Sequence, residues 1–501
     1  MAWARDGYIL ALDCGTSGCK ASLWDRNGES SRQITMPLKR NIPRSGYVEQ
    51  DPQSILDTQM RAILEVLSVT HTPLEAINSI GITNQRETVI AWDKETGEPL
   101  YPAISWMDRR KVYLRNMDIT ELKKEIKDRT GLILDPYFSA YKMQWIIRHL
   151  KNNSRNRLLK NLMLGTVDTW LIWNLSGKKE FVTDWTNASR TMLFNIKTGK
   201  WDGKLLDIFG IEESMLPEVT SSGGVHIPTD EKLFGKSIPI TAVAGDQQAS
   251  LYGHLCFEKG EVKNTFGTGS FLLMNAGRDP PKTRNLITTV AWKEGNSAPY
   301  YAIEGSIFNT GSLLDWIRDG LKMFKDSAQS DAMASMSPAD HGVYFIPALN
   351  GLGAPYWNNK VKGIIFGITP KVTQTEIVRS ALESIAFRVR DLVEAIKDEA
   401  GVFPQAISVD GKPTSNNFLM QFQSDILGLP VVRYSNREIT SAGVAYMAGK
   451  SSDFIDPDEL KEKRSAERIF KPGMTKKTAD RYYSGWKEAV KAAIYSYKRL
   501  K

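Results

Sequence analysis

Apolar residues recur along this chain with two different periods, and the places where the period changes predict its elements. Tyr8-Ile-Leu-Ala-Leu-Asp13 is a short apolar run that stops at a carboxylate, and Lys20 to Trp24 is a second strand candidate. Between them Gly15-Thr-Ser-Gly18 has the composition of a tight turn, and Asp25-Arg-Asn-Gly28 predicts a hairpin into a third strand. At Asp51 the period becomes helical. Asp51 is placed as an N-cap and Pro52 as the first helical residue, with Ile55, Leu56, Met60, Ile63, Leu64 and Leu67 on one apolar stripe. Ile77 to Thr83 reads as a buried strand that empties into four polar residues, Asn84-Gln-Arg-Glu87. Thr88 to Trp92 and Asp93-Lys-Glu-Thr-Gly97 resume a hairpin. Leu164 to Trp173 is compatible with strand or helix, and the stretch from Lys197 to Ile238, rich in Gly, Pro and Ser, predicts peripheral loops and short helices.

Ile238 to Ala244 is the most informative run. It reads as a buried strand and ends at Gly245, which delivers Asp246 and Gln247 to the junction of strand and helix. Beyond it the pattern restarts. Strands within Gly260 to Asn275 and Ala298 to Glu304 precede a predicted helix, Gly311 to Met323. A long amphipathic helix follows, with a capping box at Thr373 and Glu376, a stripe of Ile377, Ala381, Ile385, Val389 and Val393, and Gly401 past its end. Next come a strand (Ala406 to Val409), the turn Asp410-Gly411, a helix (Asn416 to Leu427), a strand (Pro430 to Tyr434) and a helix (Thr440 to Ala448). Two β-rich halves, each followed by helices, predict an α/β fold of two domains with a cleft between them, 1–253 and 254–501.

Length supports that division, since 501 residues exceed one compact core. The formal net charge of +8 is spread out, with some concentration in Lys476 to Lys501, where Tyr482, Trp486, Val490, Ala493 and Tyr497 recur at helical spacing. That tail is expected to be a packed terminal helix. No basic run interleaved with aromatics occurs elsewhere, so neither nucleic acid nor a membrane surface is an expected partner. Cys14, Cys19 and Cys256 have no metal-type spacing and are odd in number, which favours a reducing, cytoplasmic compartment over a disulfide framework. The five histidines are scattered and suggest neither a zinc site nor a Ser-His-Asp triad. The first apolar run stops at Asp13 and no long apolar stretch follows, so neither a secretory leader nor a spanning helix is expected.

A carboxylate at a strand end can serve as a general base, and Asp246 has that position. Some twenty residues later, Asn264-Thr-Phe-Gly-Thr-Gly269 is a small turn able to hold phosphate through main-chain N–H groups. Asp246 would then take a proton from a substrate hydroxyl while the turn holds the phosphoryl group. The turn after Asp13 could bind phosphate too, through its N–H groups and the hydroxyls of Thr16 and Ser17, with Asp13 holding hydrated Mg²⁺. An ordinary hairpin accounts for that turn equally well. Asn84 to Glu87 is either a solvated loop, the commoner case, or a site at a strand end. Trp106-Met-Asp-Arg-Arg110 and Asp135-Pro-Tyr137 are compatible with plain surface. The usual nucleotide motifs are missing: Gly443 to Ser451 has five residues between its glycines and ends a helix instead of opening one. Gly267-Thr-Gly269 and Gly351-Leu-Gly353 lack a third glycine. Any nucleotide would be held by two small turns from different domains.

Taken together, Asp13-Cys-Gly-Thr16, Gly81-Ile-Thr-Asn-Gln-Arg-Glu-Thr88, Gly165-Thr-Val-Asp-Thr-Trp170, Thr186 to Asn195, Ala244-Gly-Asp-Gln-Gln-Ala249 and Asn350-Gly-Leu-Gly-Ala-Pro-Tyr-Trp357 resemble the FGGY family of carbohydrate kinases. So does the spacing of Gly363, Gly367, Glu376, Ile377, Ser380 and Glu383, and the likeness runs from about Tyr8 to Gly449. It implies two actin-like, ribonuclease-H-type domains closing on a catalytic cleft, and phosphoryl transfer from ATP, with Mg²⁺, to a terminal hydroxyl of glycerol. A cytoplasmic homodimer is implied as well. Carried over by position, it sets Arg86, Glu87, Tyr137, Asp246 and Gln247 around glycerol, with Trp106 and Phe271 against its carbon edge. Asp246 is then the base, and Asp13 and Asp246 face the metal. Thr16, Ser17 and Lys20 face the phosphates from one side and Gly267 and Thr268 from the other, while Gly311, Asp315, Gly411, Lys412 and Asn416 line the nucleotide.

Three positions depart from the family pattern. Lys20 stands where an arginine is usual, Asp315 where members acting on glycerol have a glutamine, and Lys412 where the second glycine of a paired-glycine turn faces adenosine. A side chain there either obstructs the nucleotide or points to solvent. Glu231 to Ile238 lacks the glycine-arginine loop through which some bacterial members bind fructose 1,6-bisphosphate, so that control is not expected. The alternatives are a kinase for dihydroxyacetone, erythritol or a pentitol, one with an unusual phosphoryl donor, and a non-catalytic polyol-binding paralogue. Retention of both Asp13 and Asp246 speaks against the last.

Overall fold

The computed structural model describes residues 7–110, 118–153 and 156–499. The first half is built on a six-stranded sheet. Its strands are β1 (Tyr8–Cys14), β2 (Gly18–Trp24), β3 (Ser30–Pro37), β4 (Ile77–Asn84), β5 (Gly223–Pro228) and β6 (Pro239–Gly245), in the spatial order β5–β6–β4–β1–β2–β3. β1, β2 and β3 form the antiparallel meander, and β4 and β6 run parallel to β1. Strands at the centre of a parallel region are covered on both faces, which is why β1 and β6 read as continuous apolar runs instead of alternating ones.

The second half repeats this plan. Its strands are β7 (Val262–Phe266), β8 (Ser270–Gly277), β9 (Ile287–Trp292), β10 (Tyr300–Ile307), β11 (Ile407–Asp410), β12 (Val431–Tyr434) and β13 (Ala466–Phe470), ordered β9–β10–β8–β7–β11–β12–β13. The series β10–β8–β7–β11–β12 matches β3–β2–β1–β4–β6 in both order and strand sense. This is the ribonuclease-H-type pair implied by the family resemblance. The repeat has a direct consequence for the site: residues 15–17 and residues 267–269 are equivalent turns, each between the first and second strand of its sheet.

Four helices matter here. α1 (Pro52–Thr70) starts as expected: the Asp51 carboxylate accepts from the N–H groups of Gln53 and Ser54, and Pro52 follows. α2 (Asp246–Gly253) springs directly from β6. α3 (Gln374–Ala400) has the Thr373–Glu376 capping box and ends at Gly401 in the left-handed region. α4 (Ile439–Ser451) returns from the second half to pack on β1, β4, β6 and α2. Gly443 lies so close to Ala249 of α2 that a Cβ would collide with its carbonyl, so this glycine serves helix packing and not phosphate. The terminal helix, Lys476–Arg499, buries Trp486, which stacks on Phe387 of α3 with centroids 5.3 Å apart; residues 500–501 of the expected tail lie outside the described residues.

Several expectations are corrected. The loop-rich stretch before Ile238 contains β5, an edge strand with alternating burial. Its glycines and prolines are compatible with an edge because only one side of such a strand pairs. The helix expected over Gly311 to Met323 is α-helical only over Gly311–Asp315 and continues as a π-type turn, Trp316–Gly320. Leu164 to Trp173 is both strand and helix, divided at Thr166 (Leu162–Gly165, then Val167–Leu175). Asn84, Gln85, Arg86 and Glu87 are fully buried, not a solvated loop. All three cysteines are free and buried. Among the described residues no helix is long and apolar enough to cross a membrane.

Candidate active site

Asp246 is the first residue of α2, held there because the Gly245 N–H donates to Thr186 Oγ1 at 2.8 Å. Its Oδ1 accepts from the Gln247 N–H at 2.7 Å and lies 3.3 Å from Arg86 Nε. The side chain keeps 29 % exposure, toward the cleft. Burial pushes its carboxyl up to about 6, against the pull of Arg86, and Glu87 and Asp13 add to the rise. A carboxylate ionised at neutral pH yet basic enough to accept a proton suits general-base catalysis.

Behind it sits a buried ion cluster. Arg86 Nη1 donates to Glu304 Oε2 at 2.7 Å and to Gln248 Oε1 at 3.1 Å, and Nη2 donates to Glu304 Oε1 at 3.2 Å. Arg190 Nε donates to Glu87 Oε1 at 2.6 Å and its Nη2 to Glu304 Oε1 at 2.9 Å. Burial alone would raise the Glu304 carboxyl, but Arg190 and Arg86 override it and hold it at about 2. Glu304 belongs to β10 and Arg86 follows β4, so this cluster joins the two halves. Glu87 has φ of 62°, and a non-glycine residue held there is a strained backbone fixed by its surroundings.

Three rings close the other side. Trp106 meets Tyr137 edge-on at 5.8 Å and Phe271 at 6.4 Å. Burial and then Glu87 raise the Tyr137 phenol, which therefore stays a neutral hydroxyl able to donate and accept. Trp106 Nε1 donates to Thr16 Oγ1 at 2.8 Å, so this indole ties the aromatic wall to the turn at residues 15–17. The structure thus brings together Arg86, Glu87, Trp106, Tyr137, Asp246 and Phe271. Gln247 adjoins them and accepts from Lys263 Nζ at 2.6 Å.

The two turns are built differently. In the first, Gly15 N–H closes onto Gly18 O and Ser17 is exposed. Burial lowers the Lys20 ammonium, but Asp13 at 3.4 Å and Glu438 at 2.8 Å outweigh that and raise it. In the second, Gly267 and Thr268 are exposed, and the N–H groups of Thr310, Gly311 and Ser312 bond to the carbonyls of Thr268, Gly267 and Thr268, each at 3.0 Å. A Cβ on Gly311 would stand 2.5 Å from Gly267 O, so only glycine lets the Gly311–Asp315 helix clamp this turn.

Further out, Asp315 is exposed and pairs with Arg318 at 3.0 Å. Gly411 lies against Phe266, and Lys412 is exposed; its carbonyl accepts from Ser415 Oγ at 3.0 Å, while its ammonium has no hydrogen bond or ion pair among the described residues. Asn416 differs from expectation. Its Oδ1 caps the following helix at Leu419 N–H (2.8 Å) and its Nδ2 donates to Ser330 (3.2 Å), so its amide is consumed inside the fold.

Asp13 and Asp246 are both raised by burial, and Asp13 raises Asp246 further. Two such carboxylates at a cleft suit a divalent cation. Among the described residues no cluster of three or more His, Cys, Asp or Glu side chains could hold one. Mg²⁺, which keeps water and phosphate oxygens as most of its ligands, fits this sparse set.

Arg190, Glu304 and Lys263 were not singled out from sequence. Arg190 lies in the Thr186 to Asn195 motif, so a signal existed. Glu304 and Lys263 are lone charges in apolar strands, a pattern that invites scrutiny once the strand is known to be buried.

Sequence models of the N-terminal and C-terminal domains of the FGGY family of carbohydrate kinases match residues 8–253 and 262–452. The chain is 44 % identical over 490 residues to the glycerol kinase of Carboxydothermus hydrogenoformans, covering 97 % of this chain and 98 % of that one. It is 43 % identical over 494 residues to glycerol kinase 2 of Thermotoga maritima, covering 97 % and 99 %. Among solved structures it is similar to Plasmodium falciparum glycerol kinase with ADP, with a TM-score of 0.88 and 33 % identity over 97 % of this chain and 98 % of that one.

Proposed function

The chain belongs to the FGGY family of carbohydrate kinases, and from that membership we propose that it is a glycerol kinase, transferring a phosphoryl group from ATP to a terminal hydroxyl of glycerol. One observation carries the choice of substrate. Beside Asp246 the rings of Trp106, Tyr137 and Phe271 form an aromatic wall, and a guanidinium and carboxylates stand in fixed orientation. A triol consists of hydroxyls that each donate and accept, so Arg86, Glu87, Tyr137, Asp246 and Gln247 can pair with all of them while the rings cover the carbon edge. Analogues lacking a hydroxyl leave buried protein groups unpaired, which is a strong basis for rejection.

In this reading Asp246 accepts the proton of the attacking hydroxyl, a role worth roughly 10²- to 10⁴-fold. Lys20 and the exposed turn at Gly267 and Thr268, whose Gly267 N–H closes onto Gly269 O at 2.8 Å, face the phosphate oxygens, with Thr16 and Ser17 facing them from residues 1–253. Mg²⁺ between Asp13 and Asp246 would supply charge neutralisation at the transferring group. Gly311, Asp315, Gly411 and Lys412 flank the nucleotide in residues 254–501, where Lys412, exposed as it is, leaves the adenosine path open. Positioning and charge stabilisation account for most of phosphoryl-transfer catalysis, so a preformed site of this kind suffices without a covalent intermediate. On the resemblance alone, the assembly is proposed as a homodimer, which light scattering decides.

Purified protein is assayed by coupled ADP release with glycerol, dihydroxyacetone, erythritol and pentitols, and with a panel of nucleoside triphosphates. Glycerol with Mg-ATP is expected to give the highest kcat/KM. A higher value for another acceptor, or for another donor, overturns that part of the assignment.

A further inference from the structure

Lys263 is a fully buried ammonium on β7 that the mechanism above does not use. Its Nζ donates to Gln247 Oε1 at 2.6 Å and to Thr265 Oγ1 at 2.8 Å. Thr265 Oγ1 in turn donates to Asp410 Oδ1 at 2.7 Å, and His254 Nε2 lies 3.0 Å from the same oxygen. We propose that Lys263 is a positioning residue that locks the Gln247 amide with its NH₂ toward the polyol, making this corner of the site a hydrogen-bond donor. The inference rests on the glycerol kinase reading.

The orientation follows from donor chemistry. An ammonium has three donors and no acceptor, so the amide atom that meets it must be the carbonyl oxygen. A glutamine amide alone could turn either way, because its oxygen and nitrogen are nearly isosteric. With Lys263 on one side the choice is removed: Oε1 is committed, and Nε2, which has no partner among the described residues, is the atom left for a ligand. The hydroxyl that meets Gln247 must therefore accept there and give its own hydrogen elsewhere, to one of the carboxylates that share the pocket.

The location explains why so costly a group is tolerated. Asp410, Asp246 and Glu304 attract Lys263, which partly offsets its desolvation and the repulsion from Arg86. In a purely structural role Lys263 would only compensate Asp410 and stabilise the sheet. The two roles differ in whether the effect of Lys263 passes through Gln247.

Full-length wild type, Lys263→Met, Gln247→Leu and the double variant are compared by glycerol kinetics at saturating Mg-ATP. Losing a hydrogen bond set by a charged group is expected to raise the glycerol KM about tenfold in Lys263→Met, with a smaller change in kcat. In the Gln247→Leu background the same substitution is expected to change KM by less than about twofold, because the lysine then has nothing to orient. Multiplying losses in the double variant overturn the proposal, since they mean that Lys263 acts independently. A crystal structure of the wild type with glycerol provides a second test that needs no variant: Gln247 Nε2 within hydrogen-bond distance of a hydroxyl supports the inference, and an Nε2 out of reach of every hydroxyl refutes it. If active wild type fails these tests, this inference falls alone. If wild type does not phosphorylate glycerol at all, the functional reading falls and takes the inference with it.

Discussion

Replacing Glu304 with Gln keeps the size of the side chain and removes one charge from the centre of the molecule. Both guanidiniums that it serves are buried: Arg86 is 2 % exposed and Arg190 is fully enclosed. The magnitude can be reached by two routes. The Glu304 carboxyl is held at about 2 instead of the usual 4.5, which corresponds to about 3 kcal/mol of preferential stabilisation of the ionised form. Removing one partner from a buried ion pair generally costs about 3–5 kcal/mol, because the remaining charge is left uncompensated. The two agree on about 3 kcal/mol. Because the folded-state value lies below the unfolded one, this contribution is fully present above pH 4.5 and is lost as pH falls toward 2. The deficit of Glu304→Gln should therefore be constant between pH 6 and 8 and narrow below pH 4.5. Urea unfolding followed by tryptophan fluorescence reads it, as a shift in the transition that exposes the junction between the two halves. Arg86 also loses its anchor, so the glycerol KM is expected to rise in the same variant. A Glu304→Gln protein that unfolds within about 1 kcal/mol of wild type, with an unchanged KM, would show that Glu87 and Asp246 alone satisfy both arginines.

Asp246→Asn is expected to bind glycerol nearly as wild type by calorimetry while kcat falls at least about a hundredfold. Wild-type kcat/KM should decline as pH drops through about 6, where Asp246 protonates, and this limb should be missing from the residual activity of the variant. Gly311→Ala forces a methyl group against the Gly267 carbonyl, so the turn at residues 267–269 must move; the ATP KM or kcat is expected to worsen about ten- to hundredfold with little change in glycerol binding. His254 is the last group to watch. Burial lowers it to about 4, and Arg464 Nη2 donates to its Nδ1, so Nε2–H is the donor to Asp410 and the ring is neutral. Its folded value is below the unfolded 6.5, so stability is present above pH 6.5 and lost as pH falls toward 4, by roughly 3 kcal/mol. His254→Gln should flatten the urea stability profile across that window.

Much of the local structure was legible along the chain. The cap at Asp51, the capping box at Thr373 and Glu376, and the strand ending at Asp246 depend on residues within one or two turns of each other, and neighbours along the chain are all that such features require. Errors came where the deciding partner was remote. β5 looked like loop because its pairing with β6 and its contact with α4 were invisible in its composition. Gly443 is rightly set aside as a phosphate glycine, but its actual role, the close contact between α4 and α2, is equally invisible in its neighbours along the chain. The polar tetrad at the end of β4 could be read as loop or as site because its counter-charges lie in other segments.

What the sequence by itself determined is the set of parts: two α/β halves, two small turns, a carboxylate at a strand end, and a family likeness spread over most of the chain. What only the tertiary structure decided is which charges answer one another. Glu304 meets Arg86 across 218 positions and Arg190 across 114, and Lys263 reaches Gln247 because β7 lies beside α2. Lys412 turned out to be exposed for a similar reason, since Pro413 and Thr414 take the buried positions beside it. A hydrophobic period is a property of consecutive residues and survives in the sequence. A buried ion pair is a property of two points in space, and its partners are named only when the sheets of both halves have set their register.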